Sequence, residues 1–160
     1  MKKNLSMIQV NEKINPRNVI LHDGTSITYP NVGMKSILFF YPKDNTPGCT
    51  AEACSIRDYY KELKDLGYEL YGVSVDSTKS HLKFIEKYEL PYPLISDEEK
   101  VLVQELGLWV KKKFMGREYM GTARTTLVLD ETGTVTHVLD TIDTKNAGKQ
   151  LLELLQSENS

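Results

Sequence analysis

The sequence predicts an α/β fold in which a central mixed β-sheet is flanked by helices. Two apolar runs of strand length, residues 37–41 and 70–75, lie on either side of a helical stretch. Their continuous hydrophobicity indicates strands that are covered on both faces. A strand, a helix and a second strand in this order form a unit whose strands run parallel. Hairpins predicted near both ends of the chain add antiparallel strands, which makes the sheet mixed.

The first half of the chain contains a hairpin and the helix of the parallel unit. Residues 18–21 and 26–29 are strand-like, and Asp23-Gly24 between them is a strong turn signal. We therefore expect a β-hairpin extension at the amino-terminal end. Residues 49–66 are predicted to be helical, because apolar side chains recur there three or four positions apart.

The second half supplies three helices and a second hairpin. The predicted elements are helices at 80–88, 98–106 and 146–155, and strands at 125–129 and 135–139. In the first of these helices Leu82, Phe84 and Ile85 are expected to face inward. The residues between Asp97 and Ala123 are interpreted as an insertion, in which the run of three lysines at 111–113 forms a solvated loop.

Composition favours one domain that spans residues 1–160, because a chain of this length can bury about two-thirds of its unfolded surface in a single core. The net charge of −2, with charges of both signs interspersed, offers no field that would attract nucleic acid or a membrane surface. No run approaches the ~18 apolar residues of a membrane span, and no apolar leader follows the basic amino terminus. We therefore expect a cytoplasmic protein whose two cysteines are reactive thiols.

The most informative segment, residues 41–54, places a thiol where a strand is followed by a helix. Pro42 cannot continue a paired central strand, and Pro47 followed by glycine predicts a turn before the helix. Cys49 is then expected at the helix start, where unpaired backbone N–H groups stabilise an anion. A thiol placed there ionises more readily and becomes a nucleophile. Through the turn, the Thr46 hydroxyl is close enough to bind the sulfur or a substrate.

The second cysteine, Cys54, follows Cys49 five residues later. This spacing is too wide for a C-x-x-C redox motif, and the chain offers too few partners for a zinc site. On an ideal helix the two Cα atoms would be ~8.7 Å apart. A disulfide requires a Cα separation below ~7 Å. A bond between the two cysteines would therefore require the first turns of the helix to unwind, and helix content should fall on oxidation.

The frame Pro42-x-x-x-Thr46-x-x-Cys49 resembles the active-site signature of peroxiredoxins, and the continuation to residue 58 is similar to the bacterioferritin comigratory protein or peroxiredoxin Q branch. The resemblance covers residues 36–155, whereas residues 14–19 depart from the family's usual Ala-Pro-Asp-Phe-type entry. Further motifs in the family's order are Gly72-Val-Ser-Val-Asp76, Ser96-Asp97, Gly107-x-Trp109, Phe114-Met115-Gly116 and Arg124-Thr-Thr-Leu-Val-Leu-Asp130. The resemblance implies a thioredoxin-like fold, which agrees with the predicted order of elements.

The resemblance also implies a thiol-dependent peroxidase that serves antioxidant defence. The Cys49 thiolate would attack hydrogen peroxide or an organic hydroperoxide and become a sulfenic acid. The Thr46 hydroxyl, the Cys49 backbone N–H and the Arg124 guanidinium are expected to stabilise charge on the peroxide oxygens, and Pro42 is expected to shield the sulfur. Cys54 would then condense with the sulfenic acid and prevent further oxidation.

The partners implied by the resemblance are a hydroperoxide substrate and thioredoxin or a similar dithiol reductant, and members of this branch are often monomers. No metal, flavin or nicotinamide motif appears, and the three histidines have no ligand spacing. We therefore expect no cofactor. Glu52 is interpreted as a supporting residue that interacts with the helix dipole, not as an acid–base catalyst.

Other interpretations of the same residues stay open at this point. Cys49 could be a buried core residue, and Cys54 could be inert in a one-cysteine peroxidase. Thr46 and Pro42 could only build the turn, and Arg124 could be an exposed strand end. The chain could also act as a peroxide sensor, which thioredoxin would recycle slowly, or as a non-catalytic holdase, which Cys49→Ser would leave unaffected.

Overall fold

The computed structural model describes residues 7–158, and a mixed sheet of seven strands forms its centre. Within these residues the strands are β1 (Arg17–Leu21), β2 (Ser26–Tyr29), β3 (Lys35–Phe40), β4 (Tyr68–Ser74), β5 (Leu94–Ser96), β6 (Trp109–Phe114), β7 (Arg117–Thr122), β8 (Thr125–Leu129) and β9 (Val135–Leu139). The helices are α1 (Pro47–Asp58), α2 (Tyr60–Asp65), α3 (Thr78–Tyr88), α4 (Val101–Glu105) and α5 (Ala147–Glu158). The basic amino terminus, on which the expectation of no leader rests, lies outside the described residues.

The order of strands in the main sheet is β2-β1-β5-β4-β3-β8-β9. β3 pairs with β4, and β4 with β5, in parallel. The other pairs are antiparallel. The predicted parallel unit and both predicted hairpins are therefore confirmed, and so is the mixed α/β sheet. No helix in the described part of the chain combines the length and the apolar character needed to cross a membrane.

Strand β3 is covered on both faces, as its continuous hydrophobicity predicts. Ile37 and Phe39 pack into one core cluster with α1, α2, α3 and α5. Leu38 and Phe40 pack into a second cluster with α4 and β8. All four side chains are fully buried. The strand ends at Phe40 because Pro42 follows, and the chain then leaves the sheet toward α1.

The predicted helix at residues 49–66 is two helices in the structure. α1 begins earlier, at Pro47, because the fixed φ of proline suits the first helical position. Tyr59, with φ −114° and ψ 8°, interrupts the helix before α2 begins. Cys49 and Cys54 nevertheless lie together in α1, as expected.

Two details of the later helices differ from the predictions. Leu82 was expected to face inward but is 43% exposed, because the polar His81 occupies the buried stripe of α3 together with Phe84. α4 is shorter than predicted and begins at Val101. Asp97 accepts hydrogen bonds there from the backbone N–H groups of residues 102 and 103, so the turn before α4 is fixed by a side chain.

The insertion contains a second, two-stranded sheet rather than a loop. β6 and β7 pair along their whole length, and Met115 and Gly116 form the turn with φ of 51° and 80°. Positive φ at both central residues suits the twist of a tight hairpin. The prediction of a loop for residues 111–113 is therefore wrong, since all three lysines lie on β6. The run of three like charges concealed the strand.

Candidate active site

The strand-to-helix junction after β3 places the predicted cysteine in the first turn of α1. Thr46 precedes the helix in an extended conformation, with φ −102° and ψ 155°. Pro47 and Gly48 form the first two helical positions, and Cys49 the third. The backbone N–H groups of this turn have no intrahelical acceptors, so they are available to stabilise a negative charge. Cys49 is a free thiol and only 1% exposed.

Arg124, from the segment between β7 and β8, joins the site across 75 positions of sequence. Its Nη2 lies 3.4 Å from the Cys49 sulfur, and its Nη1 lies 2.5 Å from a carboxylate oxygen of Glu52. A Cβ atom at Gly48 would lie 3.3 Å from Nη2, so a glycine leaves room for the guanidinium. Burial works to lower the pKa of Arg124, but the negative Cys49 and Glu52 raise it above its usual value. The site therefore holds a permanent cation against the sulfur.

Glu52 lies on α1 three positions after Cys49 and is fully buried. One carboxylate oxygen binds Arg124, and the other, Oε2, has no hydrogen-bond partner among the described residues. Burial raises the pKa of Glu52, and Arg124 opposes that rise. The sequence-based explanation through the helix dipole is wrong, because Glu52 lies beyond the first turn. It supports the site by holding the guanidinium against the sulfur.

The Thr46 hydroxyl donates a 2.8 Å hydrogen bond to the backbone carbonyl of Lys43. Its proton is therefore engaged within the turn, and what the hydroxyl offers to the site is its acceptor lone pairs. Pro42 lies in the same turn and is partly buried.

Lys112 is a residue near the sulfur that the sequence did not single out. Its side chain is partly buried and runs beside β7, where a Cβ atom at Gly121 would lie 3.2 Å from its Cδ. Burial lowers the pKa of Lys112, Arg124 lowers it further, and a negative Cys49 opposes both. The β6–β7 hairpin thus contributes a second cation to the electrostatic environment of Cys49. No pattern in the sequence distinguishes Lys112 from its two lysine neighbours, because only burial separates them.

A buried polar network holds the loop between β3 and α1. Asp44 accepts hydrogen bonds from the hydroxyls of Tyr41 (2.6 Å) and Ser80 (2.8 Å), and it lies 2.7 Å from Nδ1 of His81. Nε2 of His81 lies 3.0 Å from the carbonyl oxygen of Ile95, so that nitrogen carries a proton. The active-site loop is anchored to α3 by this network.

Asp44, Asp76 and His81 lie close enough together to be considered as metal ligands. Their ligand atoms are already engaged, since one oxygen of Asp76 accepts from the backbone N–H of Asp44 (2.8 Å) and the Ser74 hydroxyl (2.6 Å). Loop anchoring is therefore sufficient to explain the cluster.

Cys54 is also a free thiol on α1, but its surroundings differ from those of Cys49. Burial raises the pKa of the Cys54 thiol, Arg57 opposes this rise, and Asp58 adds to it. Because both cysteines lie in one continuous helix, ideal geometry keeps their Cα atoms ~8.7 Å apart. The structure thus brings Arg124 to the Cys49 sulfur, with Thr46 directly before the helix and Pro42 in the preceding loop, and the geometry of a wound helix keeps Cys54 outside bonding distance.

Comparison with known proteins defines the class to which this fold and site belong. Residues 13–138 match the AhpC/TSA family. The chain belongs to this family. Peroxiredoxin Bcp of Bacillus subtilis (strain 168) is 46% identical over 101 residues, which are 63% of this chain and 64% of that protein. Peroxiredoxin Bcp of Escherichia coli (strain K12) is 38% identical over 124 residues, which are 78% and 80% of the two chains.

Solved structures of the same class of protein are similar to this one. Peroxiredoxin Q of Xanthomonas campestris superimposes with a TM-score of 0.83 at 30% identity, over 90% of this chain and 92% of that one. BcpB of Mycobacterium tuberculosis does so with a TM-score of 0.82 at 29% identity, over 96% and 99%. PrxQ of Xylella fastidiosa, at 24% identity over 97% and 99%, shares the fold with a TM-score of 0.91. The expected thioredoxin-like fold is confirmed, and the chain is a thiol-dependent peroxidase of the Bcp and peroxiredoxin Q type.

Proposed function

We propose that Cys49 is the residue that attacks the peroxide and that Cys54 resolves the product as an intramolecular disulfide. The observation that supports this most strongly is the Arg124 guanidinium, which lies 3.4 Å from the Cys49 sulfur and is tied to the buried Glu52. A fixed cation at the start of a helix stabilises a thiolate without any rearrangement at the moment of reaction.

In the first step the Cys49 thiolate attacks the terminal oxygen of a hydroperoxide. The O–O bond breaks, the terminal oxygen passes to sulfur with its hydrogen to form the sulfenic acid, and the departing hydroxide or alkoxide takes a proton from solvent to become water or an alcohol. Arg124 and the Cys49 backbone N–H donate to the oxygens on which charge develops. The Thr46 hydroxyl, which donates to the backbone carbonyl of Lys43, accepts a hydrogen bond from the peroxide O–H. Pro42 shields the sulfur from bulk water.

In the second step the Cys54 thiol condenses with the sulfenic acid, so that an S–S bond forms and water leaves. The intact α1 keeps the two cysteines too far apart for this bond, so residues of its first turns must unwind. Formation of the disulfide prevents a second peroxide from oxidising the sulfur further.

Thioredoxin or a similar dithiol protein would reduce the disulfide and complete the cycle. We propose a monomer that acts as one unit over residues 1–160 in the cytoplasm, in antioxidant defence, with hydrogen peroxide and organic hydroperoxides as substrates. Two cysteines that act as reactive thiols, rather than as a structural disulfide, are typical of a reducing compartment. The expectation that no nucleic acid is bound stays a prediction, supported by the net charge of −2.

The test is steady-state turnover of peroxide with thioredoxin and its reductase, together with peptide mapping of the oxidised protein. The proposal predicts sustained turnover and a disulfide between Cys49 and Cys54. Rapid oxidation followed by slow recycling would favour a sensor instead. Turnover that survives in Cys49→Ser would exclude Cys49 as the reacting residue.

A further inference from the structure

Tyr92 contacts the reactive part of α1 from the segment between α3 and β5. Its side chain is 2% exposed, and its hydroxyl donates a 2.6 Å hydrogen bond to the backbone carbonyl of Ala53. The ring packs edge-on against Phe39 and Tyr60, with centroid separations of 5.6 Å and 5.7 Å. Because the ring is held on two sides, the hydroxyl has a fixed position against α1, one residue before Cys54.

The hydrogen bond from Tyr92 is additional to those that form the helix. Inside an α-helix the Ala53 carbonyl accepts from the N–H group four positions later, and its second lone pair is free for another donor. Burial raises the pKa of Tyr92 well above its usual value, so the hydroxyl remains a donor across the physiological pH range. The bond therefore ties α1 to the core without being needed for the helix to form.

Contacts from other elements divide α1 at Ser55. The backbone N–H of Gly148 on α5 donates a 3.0 Å hydrogen bond to the Ser55 hydroxyl. A Cβ atom at Gly148 would lie only 2.3 Å from the Ser55 carbonyl oxygen, so the two helices touch through their backbones. From Ser55 onward α1 is thus fixed to α5, and any unwinding is confined to the residues before it.

The side-chain hydrogen bonds that reach residues 49–54 from outside α1, among the residues that the structure describes, come from Arg124 and Tyr92. Arg124 binds Cys49 and Glu52, and Tyr92 binds the carbonyl of Ala53. Arg124 also takes part in the reaction with peroxide, so it cannot be altered without changing that step. Tyr92 holds the same segment through the Ala53 carbonyl, whereas the hydrogen bond described for the Cys49 sulfur comes from Arg124.

We propose that the Tyr92 hydroxyl is a latch that keeps α1 wound while Cys49 reacts and that must release Ala53 before Cys54 can form the disulfide. This inference rests on the proposed roles of Cys49 and Cys54. When residues 49–54 leave helical geometry, the Ala53 carbonyl changes direction and loses the hydroxyl. Tyr92 is therefore a positioning residue that sets how long the sulfenic acid persists.

The test is Tyr92→Phe, which keeps the packed ring and removes only the donor. The Ala53 carbonyl keeps its helical hydrogen bond, so no buried acceptor is left unpaired. Loss of one such bond is worth about a fivefold change in an equilibrium constant. We expect disulfide formation to become about fivefold faster. The initial reaction of Cys49 with hydrogen peroxide should be unchanged, and less sulfinic acid should accumulate at high peroxide.

Tyr29→Phe is a matched control, because Tyr29 is fully buried and its hydroxyl lies 2.7 Å from the Ser36 hydroxyl in the other core cluster. Rapid quenching with a thiol-blocking reagent, followed by mass spectrometry, separates sulfenic acid from disulfide in both variants. Faster disulfide formation in Tyr92→Phe alone supports the latch.

Two results would overturn the latch while leaving the proposed function intact. One is an unchanged or slower rate in Tyr92→Phe when the wild-type protein forms the disulfide between Cys49 and Cys54. The other is an equal acceleration in Tyr29→Phe, which would indicate general destabilisation. A wild-type protein that forms no such disulfide would instead exclude Cys54 as the resolving residue, and the latch with it.

Discussion

Cys49 and Cys54 lie in the same helix but in contrasting environments. Cys49 occupies the first turn, with free N–H groups around it and Arg124 3.4 Å from its sulfur. Cys54 lies further along, where burial raises the pKa of its thiol. One helix therefore surrounds the first thiol with groups that favour a negative charge, whereas burial disfavours the charged form of the second. On the proposed roles of the two cysteines, the wound helix sets the order of the two steps, because Cys54 can reach the Cys49 sulfur only when that helix opens.

Removal of each sulfur in turn should have the largest effect. Cys49→Ser should abolish rapid peroxide consumption, because serine is a far weaker nucleophile at neutral pH. Cys54→Ser should keep a first turnover like that of the wild-type protein and then accumulate sulfenic and sulfinic acid. Single-turnover peroxide consumption and intact-protein mass spectrometry measure both. Equal loss of the first turnover in the two variants would contradict separate roles.

Replacing Arg124 tests the cation that distinguishes Cys49. Arg124→Lys keeps a positive charge, but one ammonium cannot bind Glu52 and the sulfur together as the guanidinium does. We expect oxidation of Cys49 by peroxide to slow by about a hundredfold to a thousandfold, the effect typical of losing a transition-state donor. Stopped-flow measurement of thiol loss would show this. Arg17→Lys, at an ion pair with Glu105 outside the site, is the control and should leave the rate unchanged.

The pH dependence of disulfide formation tests the environment of Cys54. Its raised pKa means that the wound helix holds this proton more tightly than the unwound segment, where the thiol has its ordinary pKa of about 8.5. Below that pH both states are protonated. As pH rises through it, only the unwound state loses the proton, and unwinding becomes more favourable.

Disulfide formation should therefore accelerate by up to about tenfold per pH unit as the thiolate fraction grows. It should continue to rise above about pH 8.5 and level off only at a higher pH. Rapid-quench rates over a pH series, taken alongside the rate of peroxide consumption, provide the measurement. Levelling at or below the ordinary thiol pKa would show that burial does not protect Cys54.

The smallest expected effect concerns the second cation near Cys49. Lys112→Met keeps an apolar stem beside Gly121 but removes a charge that favours the thiolate. We expect a decrease of about twofold to fivefold in the rate of thiol oxidation, in line with about 0.5–1 kcal/mol for a partly exposed charge interaction. The neighbouring Lys113 is exposed on the same strand, so Lys113→Met should leave the rate unaltered. Equal effects in both variants would show that Lys112 acts only through the net charge of the protein.

Local sequence was sufficient to predict the junction that carries the site. Pro42 correctly marked the end of the strand, whereas Pro47 was predicted in a turn before the helix and is in fact its first residue; both signals act within a few residues of Cys49. Arg124 was expected beside the sulfur only through the resemblance to peroxiredoxins. Arg124 and Cys49 are 75 positions apart in the sequence. Their contact depends on how the sheet is assembled, which local patterns do not encode.

The features that the sequence missed share a dependence on burial or on non-local contacts. The three-lysine run hid the β6 strand. Burial alternates along these lysines, but all three side chains are of one type, so the sequence itself does not alternate. Glu52 could be placed on α1, but nothing local showed that its face of the helix is buried against Arg124. The bond from Tyr92 to Ala53 joins residues 39 positions apart and needs the packed core to exist.

The most direct test of the account is to follow each cysteine separately after hydrogen peroxide is mixed with the reduced protein at neutral pH. Rapid alkylation and peptide mass spectrometry would measure the loss of each thiol. We expect the Cys49 thiol to be lost orders of magnitude faster than that of free cysteine, and the Cys54 thiol to be lost later, in step with a disulfide between the two. Loss of both thiols at the slow rate of free cysteine, or loss of Cys54 first, would contradict it.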